Sequence, residues 1–328
     1  MKQKRVVVFG GGGGASMVLH ALPETAHKTA VIAVTDTGRS TGVARLVGGN
    51  MPAPGDVRST IANMARDPQM AQLLQHRFDG AGIRELEGMA LGNLMLAALF
   101  REHGNFAQAV AIVAHMADCA ATVLPVSQES SQLCARLIDG TDVVGELAVR
   151  TPHKAPIAYC RLEPHVRALP DVLQAIRDAD AIIIGPGSFY TTLHAVLLPE
   201  GVRAALAASH AHIVFVANTT TQSGQTEHLD CVGHVSHLVH MLGTGVVDTV
   251  VLNSGVPSEA QRERLAADGL QALTASATEV ATIEQMGLEV IVQPLTETAG
   301  ADRQLWNKQD TLRHDPALLR AVFAQLLT

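Results

Sequence analysis

The chain has 328 residues, 47% hydrophobic and 17% charged, with 28 glycines, enough to bury one large α/β core or two modest ones. Its formal net charge of −7, without a basic stripe, gives nucleic acid no electrostatic handle. Four scattered cysteines without a CxxC pair exclude a disulfide framework, and fifteen histidines without HExxH spacing exclude the familiar metal signatures.

Val6 to Phe9 is wholly apolar, the pattern of a parallel strand buried on both faces. The basic residues before it imitate a signal peptide, but Gly10 to Gly14 then interrupt the run, and glycines cannot form an apolar h-region. No other stretch reaches the roughly 18 apolar residues of a membrane span. No span is expected, and the cytoplasm is the expected location. Ala15 to Leu22 reads as a helix stopped by Pro23, and Ala30 to Val34 as a second buried strand. Thr35 to Asp56 is long, polar and rich in Gly and Pro, and a loop of that length is usually functional.

Helical patterns follow over Gly55 to Phe78, from Leu91 with Leu94, Met95, Ala98 and Leu99 on one face, and over Phe106 to Met116. Thr122 to Val149 turns β-branched, and Asp139-Gly140 signals a hairpin. The α/β rhythm resumes with a helix from Leu169 to Ala179, the strand Ala181 to Ile184, a Gly-Pro-Gly turn and a helix through Leu206. Strand Ile213 to Ala217, helix Val232 to Leu242, strand Val247 to Leu252, helix Glu259 to Ala267 and helix Ala317 to Leu327 complete it. Alternation of this kind predicts a mostly parallel sheet covered by helices on both faces. We expect one α/β domain over residues 1–328, with a helical insertion over about 55–118 and a β-hairpin insertion over about 122–150.

Strand, Gly10 to Gly14, helix is the geometry in which bare backbone approaches a phosphate at a partly positive helix start. A structural tight turn is the alternative. Gly10, Gly12 and Ala15 fit part of GxGxxG, and the missing Lys-Ser/Thr argues against an ordinary P-loop NTPase. Asp36 ends the second strand where a dinucleotide fold would hold a ribose hydroxyl. Its setting, Thr35-Asp36-Thr37-Gly38-Arg39-Ser40-Thr41-Gly42, is a dense polar cluster better suited to phosphate contacts, and Asp36 and Ser40 are candidate ligand residues there.

The turn Gly185-Pro186-Gly187-Ser188 opens a helix rich in hydroxyls, with Gly187 permitting close approach and Ser188 able to donate to an anion or merely to cap. The loop from Asn218 to Glu227 also follows a buried strand, and its amides suit a base edge or sugar hydroxyls. Asp56 stands at a helix start beside Arg58, as an N-cap or as a contact to a cation or substrate hydroxyl. Asn93 is a lone polar residue in an apolar helix, with a satisfied buried amide and a ligand contact about evenly matched.

The ordered series GGGGGAS (10–16), TDTGRSTG (35–42), PGDVR (54–58), EGMALGNLMLAAL (87–99), VLP (123–125), VVGE (143–146), ADAIIIGPGSFYTT (180–192), NTTTQSGQTE (218–227), DTVVLNSG (248–255) and RHDP (313–316) resembles the gluconeogenesis factor family. Its relatives include the 2-phospho-L-lactate transferases. The resemblance implies a Rossmann-like three-layer sandwich that binds a nucleoside diphosphate or a nucleotide-sugar such as a UDP-sugar. Gly11, Gly12 and Gly14 match the family's first glycine loop, Gly187 and Ser188 its GPGS turn, and Asn218, Thr221 and Gln222 its third loop. Asp36, Asp56 and Asn93 match polar positions of the cleft. Three departures stand out: Thr37 replaces a carboxylate, Met89 an imidazole and Gly13 a threonine. Asp36 and Asp56 are then the remaining catalytic candidates, and no metal-ligand set is assigned.

The resemblance implies a non-catalytic regulator linking carbon metabolism to cell-wall precursor supply and cell shape. A phosphoryl-group transferase, with Mg²⁺ as the candidate cation, is the alternative. A nicotinamide dehydrogenase suits only the first fifty residues. With 3% aromatic residues, the chain has few stacking surfaces for a flavin-type acceptor, which favours the regulator. A homodimer is the candidate assembly.

Overall fold

The computed structural model describes residues 3–80, 82–297 and 312–327. Strands β1 (Arg5–Gly10), β2 (His27–Ile32) and β3 (Thr122–Pro125) form one half of a seven-stranded sheet. A separate antiparallel sheet holds β4 (Gln132–Leu137), β5 (Asp142–Val144) and β6 (Ile157–Glu163). Strands β7 (Ala181–Ile184), β8 (His212–Val216), β9 (Thr249–Asn253) and β10 (Glu289–Gln293) complete the larger sheet in the order β10-β9-β8-β7-β1-β2-β3. Every pairing in it is parallel. The apolar runs at its centre are buried, as their lack of polar alternation requires.

The chain leaves β1 for β2 on one side and later returns as β7 on the other, so the strand order reverses between β1 and β7. A crevice opens at such a reversal, outside the carboxyl ends of the strands.

The helices are α1 (Gly12–Ala21), α2 (Arg39–Val47), α3 (Gly55–Met64), α4 (Pro68–Gln75), α5 (Leu91–His103), α6 (Phe106–Met116), α7 (Glu146–Val149) and α8 (Pro170–Asp178). A π-helical turn over Phe189–His194 leads into α9 (Ala195–Leu197) and α10 (Val202–Ala207). Helices α11 (Cys231–Leu242), α12 (Glu259–Ala267), α13 (Ala277–Glu284) and α14 (Pro316–Leu326) follow.

Several elements differ from the expectations. Helix α2 occupies the stretch expected to be a loop; its aliphatic Val43, Leu46 and Val47 face outwards, so no inward stripe announced it. The helix expected over Gly55 to Phe78 breaks at Ala65, because Asp67 accepts from the Gln69 and Met70 N–H groups and Pro68 takes the first position of α4. Thr122 to Pro125 is a strand of the large sheet, paired with β2. The Asp139-Gly140 hairpin joins β4 to β5, and β6 extends that small sheet to Glu163. Glu146 to Val149 is helical. Helix α13 and the half-buried edge strand β10 had no expectation at all.

Candidate functional site

The first glycine loop is built by close approach. Gly11 is extended (φ −137°, ψ 174°) and precedes α1 without any side-chain cap. A Cβ on Gly11 would overlap the Asp56 carboxylate and the Thr192 methyl group, and one on Gly12 would stand 2.9 Å from Ser59 Cβ. On Gly14 it would overlap the Pro186 carbonyl oxygen. These three glycines let β1 and α1 press against α3 and the Gly-Pro-Gly turn. Gly13 is different: a Cβ there would meet nothing within 4 Å. The first turn of α1 is therefore open at Gly13, while its Gly12 N–H is held by the Asp56 carboxyl.

That opening is the wall of a cleft of about 640 Å³ at the strand-order reversal. Of the expected residues, Gly11, Gly12, Gly14, Asp56, Gly187, Ser188, Asn218 and Gln222 line it. Asp36, Ser40, Asn93 and Thr221 do not. The segment Leu312 to Pro316 closes the far side: Thr219 Oγ1 donates to the Leu312 carbonyl at 2.6 Å, and His314 Nε2 lies 3.1 Å from the Ala217 carbonyl.

The third loop holds the GPGS turn in place. Gly187 N–H donates to Asn218 Oδ1 at 3.1 Å and Phe189 N–H to Gln222 Oε1 at 2.8 Å. Tyr190 and Thr191 N–H groups both donate to Gln225 Oε1 at 3.3 Å, and the Ser188 hydroxyl lies 2.6 Å from Thr191 Oγ1. Side-chain amides thus take four backbone N–H groups of this turn, while the Ser188 hydroxyl, the expected donor to an anion, is shared with Thr191 and Gln225. Asn218 Nδ2 is buried and has no hydrogen-bond partner among the described residues. Gln225, which sequence reasoning passed over, is the centre of this arrangement; its placement three residues after Gln222 was the available signal. Thr221 exchanges both of its bonds with the Gln271 backbone, at 2.9 Å each, and fastens the loop from behind.

Beside the cleft three acids gather. Asp36 follows β2, Asp56 lies in the first turn of α3, and Glu146 opens α7. Burial, then the charges of Asp56 and Glu146, push the Asp36 carboxyl well above its ordinary value. Burial raises Asp56 to about 6, with Glu146 adding to the rise while the Gly12 N–H, Arg58 and Arg150 oppose it. Glu146 Oε2 accepts from the Thr37 N–H at 3.0 Å, and its Oε1 pairs with Arg150 at 3.1 Å. The motif loops had offered only Asp36 and Asp56; VVGE contains this third acid, but nothing in the spacing revealed its partner. Among the described residues no group of three or more His, Cys, Asp or Glu forms a metal-ligand set.

Asn93 is a satisfied buried amide, donating to Ser40 Oγ at 2.8 Å and accepting from Arg58 Nε at 3.1 Å. Arg58 also holds the Leu74 carbonyl at 3.3 Å, and burial, helped by Arg77, lowers its guanidinium to about 10. Ser40 and Asn93 therefore clasp α2, α3 and α5 behind the acids.

The family described as 2-phospho-L-lactate transferase CofD matches residues 6–296. The gluconeogenesis factor of Bacillus subtilis is 33% identical over 335 aligned positions, covering 100% of this chain and 99% of that one. The chain belongs to the CofD family, on its gluconeogenesis-factor branch. A Thermotoga maritima protein provisionally named a gluconeogenesis factor is 40% identical over 81% of this chain and 83% of its own. A crystal structure of a Bacillus halodurans protein superposes with a TM-score of 0.88 at 31% identity, covering 98% of this chain and 100% of that one. The Rossmann-like α/β sandwich expected of the family is therefore the observed fold. The family match ends before the Leu312 to Pro316 wall, whereas the alignment to the Bacillus subtilis relative spans the whole chain. Among the described residues no helix is long and apolar enough to cross a membrane.

Proposed function

We propose that this chain is a cytoplasmic nucleotide-sugar sensor. It binds a UDP-sugar through its diphosphate and sugar, releases it unchanged, and couples carbon metabolism to cell-wall precursor supply and cell shape. The observation that carries this reading is the open first turn of α1 at Gly13, facing the polar third loop across a cleft of about 640 Å³. Asp56 holds the Gly12 N–H, and the remaining first-turn amides of α1 suit the negative diphosphate. Thr219, Thr220 and the other polar groups of the third-loop wall suit sugar and base hydroxyls and carbonyls. By the resemblance, Thr37 and Met89 stand where the family carries a carboxylate and an imidazole, which removes two groups from the family's acid–base set and leaves Asp56 as the carboxyl of that set lining the cleft.

One observation favours a second reading, a transferase of phosphorus-containing groups. Asp36, Asp56 and Glu146 repel one another beside the glycine loop, and a divalent cation shared with ligand phosphates would relieve that repulsion. Mg²⁺ there would supply charge neutralisation for phosphoryl transfer. The two readings separate on turnover. The protein is incubated with UDP-sugars, and separately with a GDP-activated phospho-lactate and a deazaflavin acceptor, with and without Mg²⁺, and released nucleotide is followed by chromatography. No release is expected. Steady Mg²⁺-dependent release that disappears in Asp36→Asn or Asp56→Asn, while binding persists, would establish the transferase.

A further inference from the structure

The GPGS turn and the acid cluster flank Gly11, with Asp56 and Thr192 both packed against it, and one short stretch of the inserted segment touches the supports of both. On one side Glu146, at the start of α7, accepts from Thr37 N–H and pairs with Arg150. On the other, the Arg150 and Thr151 carbonyls pack against Gly224 so closely that a Cβ on Gly224 would overlap them. Gly224 is left-handed, with φ of +72°, so both its conformation and its contacts require glycine.

Both polar groups of Gly224 are held. Its N–H donates to Glu227 Oε1, and its carbonyl accepts from Lys154 Nζ. The next residue, Gln225, is buried and collects the Tyr190 and Thr191 N–H groups on Oε1, with Ser188 Oγ 3.1 Å away. A chain of contacts therefore runs from the Lys154 ammonium through the Gly224 carbonyl and the Gln225 amide to the turn that lines the cleft. A solvent-open groove of about 680 Å³ lies over Lys154 and Gly224, so the anchor can change its protonation without unfolding the core.

We propose that Lys154 is a positioning residue for the cleft: by gripping the Gly224 carbonyl it seats Gln225, and through Gln225 it fixes the GPGS turn. The inserted segment is then a strut that ties the turn to the Asp36 loop. The hold of Lys154 on the turn does not depend on which ligand the cleft takes. Burial lowers the Lys154 pKa from 10.5 while Glu227 opposes that shift, so the grip loosens as pH rises towards that region. The groups facing Lys154 are Glu227 and His228 on the third loop, Cys160 on β6, His153 beside it and Asp268 after α12. His228 titrates below its ordinary 6.5, and burial holds the Cys160 thiol at about 12. Between pH 7.5 and 10.5 His228 stays neutral and Cys160 stays largely a thiol.

The test is amide hydrogen exchange on ligand-free protein, comparing a peptide covering residues 187–193 with one covering β9. Lys154→Met is expected to lose at least tenfold protection over 187–193 with β9 unchanged, and Lys154→Arg to restore it. In the wild type, protection of 187–193 relative to β9 should fall from pH 7.5 to 10.5 after correction for intrinsic exchange, and in Lys154→Arg it should stay level. If Lys154→Met lowers protection everywhere, the pH comparison between wild type and Lys154→Arg decides. Equal protection of 187–193 in wild type and Lys154→Met, or the same pH dependence in wild type and Lys154→Arg, overturns the proposal. UDP-glucose affinity measured on the same variants adds a separate readout: a wild type that binds none contradicts the proposed function and leaves the exchange result standing.

Discussion

A carboxyl group whose pKa is near 6 in the folded chain and 3.8 in the unfolded one opposes folding wherever it is ionised. For Asp56 the unfolded chain releases its proton first as pH rises, so stability falls between about pH 3.8 and 6 and the loss is complete above. Asp56→Asn keeps an acceptor for the Gly12 N–H and removes the charge. It should raise the unfolding free energy by roughly 1–3 kcal/mol above pH 6.5, with the gain vanishing below about pH 4, as read by denaturant titration across pH. Gly187→Val tests the turn. Gly187 is not left-handed, and its Cβ would meet Leu193 Cδ2 at 3.3 Å, so the fold should survive with a melting temperature near wild type while ligand affinity drops at least tenfold. Unchanged affinity would remove the turn from the site. Residue type marked Gly11, Gly12 and Gly14 as places of close approach but not what approaches them: it pointed to a phosphate, whereas Asp56, Ser59 and the Pro186 carbonyl stand against them. It did not reveal that Thr221 faces away from the cleft, since a hydroxyl carries no directional signal. Glu146 was hidden for a related reason: its partner Thr37 lies 109 positions away.

Strands were legible where burial on both faces made them uniformly apolar, and helices by other signals, such as the one buried face of α8 with Val172 and Ile176. Strands β1, β7, β8 and β9, and helices α5, α6, α8, α11, α12 and α14, stand close to where sequence pattern places them. Helix α2 was not, because its aliphatic side chains point to solvent and its buried residues include Arg45, which holds the Asp36 and Ser131 carbonyls. Nor was the sheet that β3 joins, since pairing with β2 is a long-range choice. The packing of elements at the site gives a sharp test. Gly14 sits where the start of α1 meets the Pro186 carbonyl, backbone against backbone, so neither side can yield by turning a side chain. Gly14→Ala should part the two loops, costing about 1–3 kcal/mol of stability and most of the ligand affinity. Gly13→Ala, whose methyl group meets no protein atom within 4 Å, should melt as wild type. Equal behaviour of the two variants in thermal melting would show that this contact does not shape the cleft.

Across the whole molecule a continuous buried core joins the central strands to the small sheet through Leu133 and Leu162, and to α14 through Leu319, Val322 and Phe323. One folding unit is the organisation we propose, and unfolding followed at once by fluorescence and circular dichroism should give one coincident transition. Two separated transitions would mean that the inserted segments fold independently. What sequence could not supply was how the cleft is closed, because its far wall comes from Leu312 to Pro316, more than a hundred residues beyond the GPGS turn in the chain. The central claim is that this cleft recognises a nucleotide-sugar. Its most direct test is titration calorimetry of the wild-type chain with UDP-glucose and UDP-N-acetylglucosamine, each with and without Mg²⁺, against NAD under the same conditions. The account predicts saturable binding of a UDP-sugar with little dependence on Mg²⁺ and no comparable heat from NAD. A saturable NAD isotherm with none from either UDP-sugar would contradict it.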